Sequence, residues 1–325
     1  MFADRQSSQR RLTNIIYTHG AGRLANQLHC HAHLLAFCLE HAPRFSLFNA
    51  ALVPYAEFLP RGAESFGAPA TWLKTVAEVA SRPSVFHLPL LLAARAAWRI
   101  FSGHAFDWRV CLQRLSAFHP SANIIYGEGL DLDSAAEQLG ASRVIVLSGW
   151  TIRGHRLFEK HRREIMRRLA LTINQPLVES ILRRAQSVSD LLIGVHVRQS
   201  DYAEFEYGAH FFSTPQYAAA MKSIADAVTP CRVSFVVCSD RQQAAREFQG
   251  LNATVAVGTT AADDLTLLSL CDGIIGPHST FNHWAAFMGD AILIWLELGG
   301  KVPPAGMDTI RNLASHKLSY KVLSM

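Results

Sequence analysis

Between residues 191 and 295 the chain alternates short apolar runs with helical patterns, and this alternation is the strongest constraint on its fold. Strands are predicted at Leu191–Val197, Arg232–Cys238, Thr254–Val257, Gly273–Ile275 and Ala291–Trp295. Helices are predicted near Pro215–Val228, Arg241–Phe248, Asp263–Cys271 and Thr280–Met288. Such repetition demands right-handed crossovers and a parallel sheet covered on both faces. Ligands of these sheets bind beyond the carboxyl ends of the strands, which points to the loops after Val197, Cys238 and Ile275.

The first half is less regular. Asn14–Thr18 reads as a strand ending at His19-Gly20-Ala21-Gly22, followed by a helix from about Asn26 to His41 and a strand at Phe45–Phe48. From Tyr55 to Ala117 the pattern is mostly helical. Strands are then expected at Asn123–Tyr126 and Arg143–Leu147, with helices at Gly154–Leu171 and Leu177–Ser187 as a connector. A chain of 325 residues has room for two domains, and the boundary is placed within 172–190. The reading is an N-terminal domain over 1–180 and a C-terminal one over 181–325.

Half of the residues are hydrophobic and 18% are charged, which excludes a disordered chain. The six cysteines, Cys30, Cys38, Cys111, Cys231, Cys238 and Cys271, lie in apolar surroundings without a C-x-x-C pair and read as reduced core residues. No apolar stretch follows the polar, basic N-terminus, and the apolar run Val85–Phe101 is broken by His87, Pro89, Arg95 and Arg99. A cytoplasmic protein without a membrane span is expected, with peripheral contact at the inner membrane face left open. Of the 31 basic residues 25 are Arg, a type suited to phosphate, although enrichment alone decides nothing. The basic stretch Arg153–Arg168 lacks interleaved aromatics and reads as a solvated helix face, so no nucleic acid is expected as a partner.

Two segments carry the sharpest chemistry. In Ile193-Gly194-Val195-His196-Val197-Arg198-Gln199-Ser200-Asp201-Tyr202, His196 and Arg198 alternate with valines, so both polar side chains leave the sheet on one face. Arg198 is either a fork for a pyrophosphate, with His196 orienting it, or a strand-end arginine paired with Asp201. In Gly276-Pro277-His278-Ser279-Thr280-Phe281, Ser279 or Thr280 caps a helix, either as an ordinary N-cap or with the first amides serving as an anion site. Asp263, Asp264, Ser239 and Asp240 are each either a cap or an acceptor for a base edge or ribose hydroxyl. Gly20-x-Gly22-x-x-Ala25 follows a strand as a dinucleotide fingerprint would, but Phe45–Phe48 leads into Asn49-Ala50-Ala51 and not into the acid that an NAD site needs. His29, His31 and His33 invite a metal reading. Only His29 and His33 share a helix face, however, so ordinary histidines are favoured and no metal is expected.

Three ordered segments resemble the GDP-fucose fucosyltransferases, most of all the α-1,2-fucosyltransferase family, within a superfamily that includes the α-1,6- and protein O-fucosyltransferases. Gly22-Arg23-Leu24-Ala25-Asn26-Gln27 is similar to G-R-L-G-N-Q, and His196-Val197-Arg198-Gln199-Ser200-Asp201-Tyr202 to H-V-R-R-G-D-Y. Asp264-Leu265 through Ser279-Thr280-Phe281-Asn282-His283-Trp284 is similar to D-L-x-L-M-S-x-C-D followed by S-T-F-S-W-W. The match spans roughly 13–42 and 190–297 and leaves about 50–170 unaccounted for.

The resemblance implies an α/β fold of GT-B type, two Rossmann-like domains facing a cleft with the first on the acceptor side and the second binding the GDP-sugar, and metal-independent inverting transfer of fucose from GDP-fucose to a glycan hydroxyl, with α-1,2 linkage. It implies no cofactor. Arg198 would hold the pyrophosphate with His196 beside it, Asp264 the guanine, and Ser279, Thr280 and Phe281 the phosphate. Asn26, with Gly22 and Arg23, would reach toward the diphosphate. Asp201, Glu204 and Glu206 are the candidates for the base, and Glu206 has the spacing of the α-1,6 relatives. Gln199 replaces the motif's second Arg and removes a charge. Another GDP-sugar, a non-catalytic sugar-nucleotide-binding module and an NAD-dependent oxidoreductase are the alternatives.

Overall fold

The computed structural model describes residues 12–19, 22–59, 122–126, 129–142, 144–187 and 189–323. The chain divides into two compact units, Met1–Ala170 and Leu171–Met325. Gly20, Ala21, Cys111, the apolar run Val85–Phe101 and most of the helical pattern from Tyr55 to Ala117 lie outside the described residues.

The first unit holds β1 (Thr13–His19), β2 (Phe45–Asn49), β3 (Ala122–Tyr126) and β4 (Val144–Ser148) in one parallel sheet of order β2-β1-β4-β3. The helix Leu24–Glu40 crosses from β1 to β2 and buries nearly its whole length. The single helix expected over Gly154–Leu171 is two short ones, His155–Lys160 and Arg162–Arg168. They part at His161, whose Nε2 lies 2.8 Å from Glu40 Oε2; that contact anchors the break.

The second unit holds β5 (Leu191–Val197), β6 (Val233–Ser239), β7 (Ala253–Val255), β8 (Gly273–Gly276) and β9 (Ile292–Trp295), all parallel, in the order β7-β6-β5-β8-β9. Every residue of β5 is buried, as a central strand covered on both faces requires. Leu191, Ile193, Val195 and Val197 join one core with Phe212, Tyr217, Met221 and Ile224 of the segment 212–224. The intervening residues meet the helices Ala261–Ser269 and Thr280–Gly289: the Cβ that Gly194 lacks would strike Leu268, and His196 stacks on Phe281.

A further expectation changes. The helix expected at Arg241–Phe248 is only a 3₁₀ turn over Ala245–Phe248. Gln243 is drawn inward by side-chain bonds to Gln199 and Ser239, and Glu247 caps the turn at the Ala244 amide (2.7 Å), so the helix starts late. A final helix, Pro304–Leu323, adds Ile310 and Ala314 to the core; Met307, Ile310 and Ala314 have the helical spacing that marks it. Among the described residues no helix is long and apolar enough to cross a membrane.

Candidate functional site

In the second sheet β5 and β8 are neighbours, but the chain leaves β5 toward β6 on one side and returns to β8 on the other. The carboxyl ends of these two strands therefore form the topological switch point, where open α/β sheets bind ligands. Both sharp sequence segments end there. Gly276 permits the approach: a Cβ on it would lie 3.0 Å from the His196 carbonyl oxygen and 2.6 Å from Asn282 Nδ2. Buried Asn282 donates from Nδ2 to the Pro277 carbonyl (2.8 Å), pinning the loop to the helix that follows.

Ser279, and not Thr280, is the cap of that helix, and its Oγ accepts from the Phe281 amide (3.2 Å). Thr280 and Phe281 form the first turn, both half-buried. The His196 ring lies 4.7 Å from the Phe281 ring at an interplanar angle of 26°. Burial, reinforced by the Arg198 charge, pushes its imidazole down to about 4, so at neutral pH His196 is an uncharged wedge.

Arg198 leaves β5 with its side chain 13% exposed. Its Nη2 donates to Asp201 Oδ2 (2.8 Å), its Nε lies 3.3 Å from Asp240 Oδ2, and its guanidinium sits 5.3 Å over the Tyr202 ring. The pairing with Asp201 is thus present. It joins a carboxylate that is 45% exposed and can hydrate when another anion takes its place, which leaves this side of the arginine exchangeable while Asp240 stays beside Nε. Tyr202, which the sequence reading did not single out, donates its hydroxyl to the His278 carbonyl (2.7 Å) and ties the β5 loop to the β8 loop. Tyr217, also unforeseen, accepts from the Arg198 amide (3.3 Å); it sits on a core-facing helix turn that gives no local sign of this.

The four candidate acceptors separate cleanly. Asp240 is occupied by the β5 loop: its carboxylate accepts from the Gln199 amide (2.9 Å), the Ser200 amide and the Ser200 hydroxyl. Ser239 Oγ accepts from the Arg241 amide and from Gln243. Asp263, fully buried, accepts from the Asn174 amide (2.7 Å) and from the amide and hydroxyl of Thr260. Asp264 differs, because its Oδ1 is buried and has no partner. Burial raises its carboxyl to about 6, against a lowering bond from Thr259. The Cys238 thiol approaches its backbone carbonyl (3.9 Å), and Cys238 is the register partner of His196, so Asp264 stands at the same end of the sheet as Arg198.

Gln199 is buried and turned inward. Its Nε2 donates to the Phe212 carbonyl (3.0 Å) and its Oε1 accepts from Gln243 (3.1 Å). Where the resembled motif has arginine, this chain thus has a neutral bridge inside the loop. Downstream, Asp201, Glu204 and Glu206 are exposed, and Glu206 Oε2 lies 3.1 Å from His210 Nε2. Glu206 and Tyr207 are left-handed, at φ 47° and 56°.

Gly22, Arg23 and Asn26 belong to the first unit. Gly22 has φ +82°, and a Cβ there would overlap Asn26 Nδ2 at 1.7 Å; Asn26 Oδ1 is buried without a partner. Arg23 is exposed before the first turn. Asn49, where an NAD site has its acid, accepts from the amides of Ala51 and Leu52 and contacts His31 (3.1 Å). His29, His31 and His33 are all buried. His33 Nδ1 accepts from the Gly154 amide (3.2 Å), and burial holds the ring near 3. Among the described residues no group of three metal-ligating side chains occurs.

No family model matches the sequence, and no curated protein matches it. Solved structures do. A variant of Arabidopsis thaliana FUT1 in complex with GDP aligns with 91% of this chain and 73% of its own at a TM-score of 0.52 and 14% identity. The fucosyltransferase NodZ from Bradyrhizobium aligns over 88% and 96% (TM-score 0.48, 16% identity), and POFUT1 in complex with GDP over 87% and 98% (0.45, 12%). The likeness to the first shows the fold: this chain is an α/β protein of GT-B type with a Rossmann-like parallel sheet in each unit.

Proposed function

We propose that the protein is a fucosyltransferase that uses GDP-fucose as donor and a glycan hydroxyl as acceptor. The observation that carries this reading is the grouping, at one switch point, of an exchangeable arginine, a capped helix start and a buried carboxylate oxygen without a partner. Arg198 and the amides of the Thr280–Gly289 helix suit a diphosphate. Asp264, ionised, suits the paired N–H donors of guanine. The diphosphate displaces exposed Asp201 from Arg198, while Asp240 keeps the arginine aimed.

In the proposed step the acceptor oxygen forms a bond to C1 of fucose as the bond from C1 to the β-phosphate oxygen breaks, with inversion. GDP leaves with the electron pair, and the hydroxyl proton passes to a loop carboxylate, for which Glu206 is our choice. Charge growing on GDP is met by Arg198 and the helix amides, so the reading needs no metal or other cofactor. The α-1,2 linkage rests on the motif resemblance. A melting panel with GDP, UDP, ADP and NAD, followed by a transfer assay with GDP-fucose, tests the proposal. Stabilisation by GDP alone and transfer lost in Arg198→Ala are expected; stabilisation by NAD, or unchanged transfer in that variant, overturns it.

A further inference from the structure

A second concave site lies wholly within the second unit, next to the switch point. It is a cavity of about 760 Å³ along the edge strand β9 and the loop after it, bounded by the loop at 209–212 and the start of the Pro304–Leu323 helix. That volume suits a small organic ligand. Two rings in its wall form a stack, those of His278 and Trp295, 4.7 Å apart at 17°. The His210 ring stands 5.3 Å from His278, and Glu297 and Thr309 add polar groups to an otherwise apolar lining.

The chemistry of the lining selects the ligand. Among the described residues that form the wall there is no Lys or Arg, and the one charged group is a carboxylate, so a phosphate or nucleotide is disfavoured. The flat outer face of a ring stack beside a few hydrogen-bonding side chains matches a neutral sugar ring, which presents an apolar C–H face and a polar edge. Position adds to this. His278 directly precedes Ser279, the cap of the helix assigned to the diphosphate, and its carbonyl is bonded to Tyr202 of the Arg198 loop. A sugar in the cavity therefore lies beside the helix start assigned to the diphosphate.

We propose that this cavity holds a neutral sugar ring of the acceptor glycan, stacked on the His278–Trp295 pair. Calling that sugar the acceptor rests on the donor reading above, whereas sugar binding itself does not. Acceptor contact then falls on the second unit, where the sequence reading had assigned the acceptor to the first.

The test separates the two sites. Saturation-transfer NMR is recorded on the full chain with lactose, cellobiose and maltose, and GDP-induced melting shifts are read in parallel. Transfer to the ring C–H protons of at least one disaccharide is expected, lost in Trp295→Leu and in exposed His278→Ala while the GDP shift persists in both. The second variant guards against a folding defect in the first. No transfer from any of the three sugars to a wild-type protein that still responds to GDP overturns the cavity assignment and leaves the donor reading standing. Transfer that survives in both variants overturns it too. If GDP gives the wild type no shift, sugar signals that vanish in both variants while each still melts at the wild-type temperature support the cavity, and the missing shift counts against the donor reading alone.

Discussion

Arg198 Nε and Asp240 Oδ2 lie 3.3 Å apart at the ends of neighbouring strands, both side chains 13% exposed. The same carboxylate holds the amides of Gln199 and Ser200, so one acid sets both the path of the β5 loop and the aim of the arginine. Asp240→Ala leaves these donors without an acceptor in a poorly solvated place, a loss of about 1–3 kcal/mol. Urea denaturation should show that loss, and the GDP-induced melting shift should shrink with it. Asp240→Asn keeps the shape without the charge and should fall between. An alanine variant as stable as the wild type would mean that the loop is held by something else.

Arg198 is the direct probe of the proposed donor contact: its removal frees exposed Asp201, which hydrates readily, and leaves Asp240 with the Gln199 and Ser200 amides that it already accepts from. Arg198→Ala should stay folded yet lose at least tenfold in kcat/KM for GDP-fucose. Arg198→Lys should recover only part of this, since an ammonium cannot make the paired contacts of a guanidinium fork. Full recovery by lysine would show that charge alone is used.

Asp264 predicts a pH dependence with a definite sign. Its carboxyl titrates near 3.8 when unfolded and about 6 in the folded chain, because burial penalises the anion. Between these values the folded form is protonated and the unfolded form is not, so this group's contribution to stability falls as pH rises through that window and stays low above it. Asp264→Asn should therefore stabilise the protein at pH 7.5 by about 1–3 kcal/mol and hardly at all at pH 4. Guanine needs the anion as acceptor, so the GDP-induced shift of the wild type should weaken as pH falls through about 6. A shift as large at pH 5 as at pH 8, with guanine still preferred in the asparagine variant, would remove Asp264 from base recognition.

What the sequence made legible follows from how local each cause is. The parity of β5 placed His196 on one face and the valines on the other, and a Ser-Thr pair after a strand announced a helix start. Asp263 and Asp264 could not be told apart, because the amide that occupies Asp263 belongs to Asn174, 89 residues away. Gln199 looked like a lost charge. Its inward turn depends on Gln243, 44 residues further on, and the same contact shortens the helix expected at Arg241–Phe248. The cavity at Trp295 was invisible for the same reason: its wall is assembled from separate loops, an edge strand and a helix start.

Glu206 is set apart by its backbone. At φ 47° and ψ 43° it precedes a second left-handed residue, Tyr207, and such positions cost about 1–2 kcal/mol each outside glycine, a strain that clusters where a side chain must be presented. Its carboxylate is 59% exposed and meets His210, which lines the cavity assigned to the acceptor. Asp201, by contrast, is engaged by Arg198. If Glu206 takes the acceptor proton, Glu206→Gln should lower kcat by roughly 10²–10⁴-fold and leave the GDP-induced shift unchanged. Asp201→Asn should instead release Arg198 and keep or tighten GDP binding, with a smaller loss of kcat. The reverse order would make Asp201 the base, and equally small effects would move the base out of this loop.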